Sequence, residues 1–150
     1  TMQSSWHNLP EFDPDGAAYQ QQPGVEFAAR EVVVSDTLDA ITMDIAPAYG
    51  AVPGLGFYRR RVQLNENGLT LQGETDYPGM VALTLMSVEK PAVDGSTVQF
   101  GALAAAHVDG AQRIMTESVP ITDPRLRQAW PDTLYRTRIC FTGALTVEVQ

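Results

Sequence analysis

One cysteine, one lysine and two histidines stand in a chain of 150 residues. The lone Cys140 excludes an internal disulfide framework and any cysteine-rich zinc site. No run of eighteen or more apolar residues occurs, so no segment could form a membrane-spanning helix and no membrane partner is expected. The N-terminus carries neither the basic nor the apolar region of a signal peptide. Positive charge is scarce: 10 Lys and Arg against 18 Asp and Glu leave a formal charge of −8. That balance opposes nucleic-acid binding, whose affinity comes largely from neutralised phosphates. It also disfavours a polyanion as partner of this domain by itself. There is no G-x-S-x-G nucleophile elbow. Gly54-Leu55-Gly56 is followed by none of the Gly, Lys and Ser/Thr positions of a phosphate loop.

Apolar residues make up 44% of the chain and charged residues 19%, which suits one packed, soluble domain of ordinary size. Of the ten basic residues all but Lys90 are arginines, the side chain best suited to bidentate pairing with carboxylates. Residues 1–24 read as an extended N-terminal arm. Segment 8–24 holds three prolines, two glycines and a glutamine run without helical or strand period. Residues 25–150 read as strand after strand. In VEFAAREVVV the apolar Val25, Phe27 and Ala29 alternate with polar neighbours. AITMDIAP places Ile41, Met43 and Ile45 on one face. FYRRRVQL sets Tyr58, Arg60, Val62 and Leu64 opposite Arg59, Arg61 and Gln63. NENG at 65–68 is a hairpin signal, and Asp109-Gly110 predicts a second hairpin turn. TLYRTRICF and LTVEV, joined at Gly143, close the domain. Only ITDPRLRQAW invites a helix, with Asp123 as N-cap, Pro124 at its first position and Pro131 as stop after about two turns. The expectation is an all-β, antiparallel β-sandwich of roughly nine or more strands with one short helix.

Few residues offer chemistry. His7 stands in SWHNLP ahead of the arm, and His107 beside the Asp109-Gly110 turn reads as a surface or hydrogen-bonded histidine. DPDG at 13–16 starts like a calcium loop, but the later ligands do not follow, and an Asp/Gly turn explains it. Zinc needs about three protein donors; His7 with Asp13 or Glu26 supplies two, and no third is apparent. Trp6, Tyr19 and Tyr49, in loop-like segments, are candidates for exposed aromatic faces that could stack on sugar rings. Trp130 and Tyr135, flanking the short helix, read as core plugs.

Four stretches together resemble the C-terminal β-domain of heparinase II/III-type polysaccharide lyases. HNLPEFDPDGAAYQQQPGVEFAARE is similar to the family's entry run, with His7, Asn8, Pro10, Gly16, Gln20 or Gln21, and Gly24 in place. ITMDIAPAYG resembles its apolar strand, Asp and Ala-Tyr close. FYRRRVQLNENGLTL resembles its R-x-V-x-L hairpin, and VPITDPRLRQAWPDTLYRTRI its terminal run. The likeness spans about residues 5–150. It implies the C-terminal domain of a larger bacterial enzyme that cleaves uronic-acid-containing glycans, such as glycosaminoglycans, by β-elimination. The partners implied are an N-terminal α-helical toroid and an acidic polysaccharide or oligosaccharide held in the cleft between the two domains. The principal acid–base residues would come from the toroid, so these 150 residues alone would be inactive and supply no catalytic residue. His7 and Asn8 carry over as cleft-side groups, with Trp6 and Tyr19 beside them as substrate-binding residues. No cofactor is required. Several members carry a structural zinc, for which His7 and Glu26 are the candidate ligands here. The competing expectation is a stand-alone carbohydrate-binding or purely structural sandwich module. One cysteine suits the bacterial cytoplasm, and a piece of a longer chain would equally suit the periplasm or a secreted protein.

Overall fold

Alternation of apolar and polar side chains dominates the chain, and the backbone follows it. A computed structural model describes residues 4–150. Among them are ten strands: β1 Pro10–Phe12, β2 Arg30–Ser35, β3 Ala40–Asp44, β4 Tyr58–Asn65, β5 Gly68–Thr75, β6 Val81–Ser87, β7 Pro91–Asp94, β8 Thr97–Phe100, β9 Ala104–Pro120 and β10 Thr133–Val149. All pair antiparallel. The all-β, sandwich-like class follows as expected. No helix is long and apolar enough to cross a membrane.

The sandwich is made from one continuous hydrogen-bonded sheet. Its path runs β2-β3-β4-β5-β10-β9-β8-β7, and β6 joins β1 to β10 beside it. The fold-over lies in β10. Its first half, Tyr135–Phe141, pairs with β6, and its second half, Ala144–Val149, pairs with β5. Between Phe141↔Ala111 and Thr146↔Asp109 the register slips, so residues 142–145 of β10 face only Gly110 of β9. Gly110 has φ +89, and a Cβ there would fall against the Ala144 carbonyl. Asp109-Gly110 therefore lies inside one 17-residue strand, opposite a bulge of β10, and the second hairpin turn expected from the sequence does not form. A bulge bends a strand and sharpens its twist, which is what a strand shared between two layers requires.

The NENG hairpin does form, with Asn65 opposite Gly68. Its glycine is there for space, not for positive φ: a Cβ on Gly68 would collide with the Val149 carbonyl.

Further expectations change. VEFAA is not strand: β2 begins at Arg30 and Val25 is 98% exposed. With Pro23-Gly24 ahead of it and a turn through 24–27, that stretch has no partner strand to reward its alternation. The expected two-turn helix is one 3-10 turn, Leu126–Gln128, because Pro124 and Pro131 leave too few residues to extend hydrogen bonding. Trp130 is half exposed and is no core plug. Tyr49 is buried, and its hydroxyl donates to the Pro10 carbonyl at 2.6 Å.

Residues 10–12, inside the predicted arm, pair with β6 as β1. Phe12 is fully buried and meets Tyr49, Tyr58 and Tyr77 edge-on, at ring-centroid distances of 4.8, 5.7 and 5.2 Å. Glu11 beside it is buried too, bonded to Arg138 at 2.6 Å and accepting from Gln20 at 3.3 Å. The core into which Phe12 fits joins both layers, through Val81, Leu83, Ile139 and Phe141 on one side and Tyr58, Leu71, Val108 and Val147 on the other.

Candidate functional site

Where the layers part at one end of the sandwich, the core is left open. The result is a groove of about 1420 Å³, larger than an ordinary ligand pocket. Its walls are mostly aliphatic: Val62, Leu69 and Leu71 from β4 and β5, Leu85 from β6, and Leu134, Val147 and Val149 from β10. Trp6, His7 and Asn8 line it on the N-terminal side, and Leu126 and Trp130 from the 3-10 segment also contribute.

The N-terminal turn is fastened from two sides. The Leu9 amide donates to the His7 carbonyl at 2.7 Å, and Arg60 donates to the Asn8 carbonyl at 2.5 Å. The Arg136 guanidinium sits 4.3 Å from the Trp6 ring centroid, a cation–π contact, and is itself bonded to Glu117 and to the Ser5 carbonyl. Trp6 thus keeps 38% of its surface open while its ring is held. Trp6, His7 and Asn8 are exposed where they meet the groove.

Tyr19 and Glu26 lie elsewhere. Tyr19 is half-buried against the core and pairs with Phe12 through two main-chain hydrogen bonds. Glu26 is exposed in the turn after Gly24 and does not line the groove. Among the described residues no three His, Cys, Asp or Glu side chains are grouped to hold a metal ion. The 13–16 segment is a turn: Asp13, at φ +52, accepts from the Gly16 and Ala18 amides through its carbonyl and from Ala17 through its carboxylate. His107 is exposed on β9, with Ser96 Oγ 3.5 Å from its Nδ1.

Burial pushes the Tyr49 and Tyr58 hydroxyls well up, so both stay protonated at neutral pH and neither is a base. Arg60, half-buried on the face of β4 that also carries Tyr58 and Val62, has its pKa lowered by burial, and a guanidinium keeps its charge regardless. The sequence held this signal: an arginine in phase with Tyr58 and Val62 points where a charge is least expected. A neighbouring depression of about 720 Å³ at the β4–β5 hairpin tip carries Asp39, Glu66 and Glu148 and no basic residue, which disfavours an acidic ligand there.

No family model matches the chain, and no curated protein matches it either.

Proposed function

We propose that this chain is the β-sandwich domain of a heparinase II/III-like polysaccharide lyase. In this reading it packs against an α-helical toroid and lines the cleft that holds an acidic glycan. The observation that carries the proposal is the convergence of Trp6, His7 and Asn8 on the lining of one groove. Those are three of the four residues assigned to substrate on resemblance and residue chemistry, and Tyr19 is not among them. In β-elimination a base removes the C5 proton of a uronate, the C4–O bond breaks as the C4=C5 double bond forms, and the leaving oxygen takes up a proton. The substrate carboxylate must be neutralised for that proton to leave. The groove offers binding and orientation: an aromatic face on Trp6, hydrogen bonding from His7 and Asn8, and positive charge on Arg60. The base would come from the toroid, as would the attraction for a polyanion that a chain of net charge −8 lacks.

The test places the chain alone, and the chain joined to its helical domain, with a panel of uronic-acid polysaccharides while ultraviolet absorbance reports unsaturated ends. Absorbance should rise only when the helical domain is present. A flat trace from both, across the panel, would leave a fold without lyase chemistry. A second reading, a stand-alone carbohydrate-binding module, draws on Trp130, which shares the groove with Trp6. It requires glycan binding by the 150 residues themselves.

A further inference from the structure

Seven of the nine arginines hold a carboxylate: Arg30, Arg59, Arg113, Arg125, Arg127, Arg136 and Arg138. Arg60 does not. Among the described residues its hydrogen-bond partner is the Asn8 carbonyl, which engages one of the five N–H donors of a guanidinium. Two acids line the groove: Asp123 is bonded by Arg125, and Glu89 forms no ion pair with Arg60. A positive charge without a counter-charge therefore stands in a mostly aliphatic cleft. Burying such a group is unfavourable unless an anion pairs with it. The aliphatic walls exclude a small inorganic anion as a sufficient match, because it would leave them wet. A sugar ring held at Trp6, His7 and Asn8 would leave the branched aliphatic side chains over most of the groove's length uncovered.

We propose that the groove binds an aliphatic-chain carboxylate, with its head group on Arg60 and its hydrocarbon chain along Val62, Leu71, Leu85 and Val147. This site goes beyond the lyase reading and does not depend on it. Charge complementarity fixes the head, and hydrophobic transfer fixes the tail, each buried methylene adding to affinity.

Trp6 and Trp130 both line the groove, so tryptophan fluorescence reports occupancy. The delipidated 150-residue chain is titrated with dodecanoate below its micelle concentration, with octanoate, with dodecyltrimethylammonium and with glucuronate. Dodecanoate should bind saturably, and octanoate about a hundredfold more weakly for four fewer methylenes. The cationic amphiphile and the chainless glucuronate should be silent. Arg60→Gln should weaken dodecanoate about tenfold or more. Leu126→Asp, at a site 49% exposed where folding is insensitive, should also weaken it by placing a negative charge beside the groove. Equal responses to the anionic and cationic amphiphiles, or unchanged affinity in Leu126→Asp and in folded Arg60→Gln, would reduce the effect to non-specific adsorption and overturn the proposal. A glucuronate response with dodecanoate silent would overturn it as well, and would assign Arg60 to the sugar.

Discussion

Replacing Phe12 by Ala should lower the unfolding free energy by about 3–5 kcal/mol, the usual cost of truncating a fully buried aromatic. The ring is 0% exposed and is ringed by three tyrosines, so neighbours on the 3-10 turn Ala46–Tyr49, on β4 and at Tyr77 would all lose contact at once. Tyr49 is further tied to the same strand through the Pro10 carbonyl, which limits how far the site can collapse. Phe12→Leu should cost less, about 1–2 kcal/mol, because most of the volume is kept. Urea unfolding followed by circular dichroism gives the number. Against a total stability on the order of 5–15 kcal/mol, a loss of this size makes residues 10–12 part of the sandwich. A loss below about 1 kcal/mol would make them a loosely attached strap, and the turn that presents Trp6, His7 and Asn8 would lose its anchor.

The second large effect centres on Asp44, 2% exposed at the end of β3. One carboxylate oxygen accepts from the Ala46 amide at 3.0 Å and the Tyr58 amide at 2.9 Å, and the other from Arg30 at 2.6 Å. Asp44→Ala leaves two main-chain donors without an acceptor and should cost about 3–5 kcal/mol. Burial by itself would raise the Asp44 pKa, but the Ala46 and Tyr58 amides and Arg30 outweigh it and hold the carboxyl below the usual aspartate range. A depressed native pKa means that the unfolded chain binds the proton more readily. The contribution is therefore complete above the unfolded carboxylate's range, about pH 4, and is lost as pH falls through the native value. Asp44→Asn should flatten this acid limb: its stability deficit against the native chain should shrink as pH drops below about 4. A deficit that stays constant down to acid unfolding would mean that Asp44 is not the group titrating.

Period-two patterning carried the fold where a strand has neighbours on both sides. LTLQGET lies mid-sheet and its alternation matches what is buried from Leu71 to Thr75, whereas in FYRRRVQL it holds only at Tyr58 and Arg59, and Leu64 is exposed. The same pattern misled at VEFAA, because alternation cannot say whether a partner strand lies alongside. Asp-Gly fits a turn or a continuing strand that faces a bulge, and only the pairing of β9 with β10 on both sides of Gly110 decides between them. PEF was unreadable as a strand: it is three residues long, begins with proline and carries a buried glutamate whose counter-charge, Arg138, lies 127 positions away. The candidate site was partly legible. The order of Trp6, His7 and Asn8 in the chain marks them as candidates, whereas the isolation of Arg60 depends on where every other arginine finds its acid. Trp130 was misjudged because the helix expected to bury it is a single turn.

Mapping amide and indole resonances of these 150 residues, within the chain joined to its helical domain, during titration with a uronate oligosaccharide bears most directly on where the glycan lies. Even weak binding moves such signals. The placement argued above predicts saturable shifts confined to Trp6, His7, Asn8 and the Trp130 indole, with Tyr19 and Glu26 unmoved. No shift at high ligand concentration, or shifts gathered at the 65–68 hairpin tip, would contradict it.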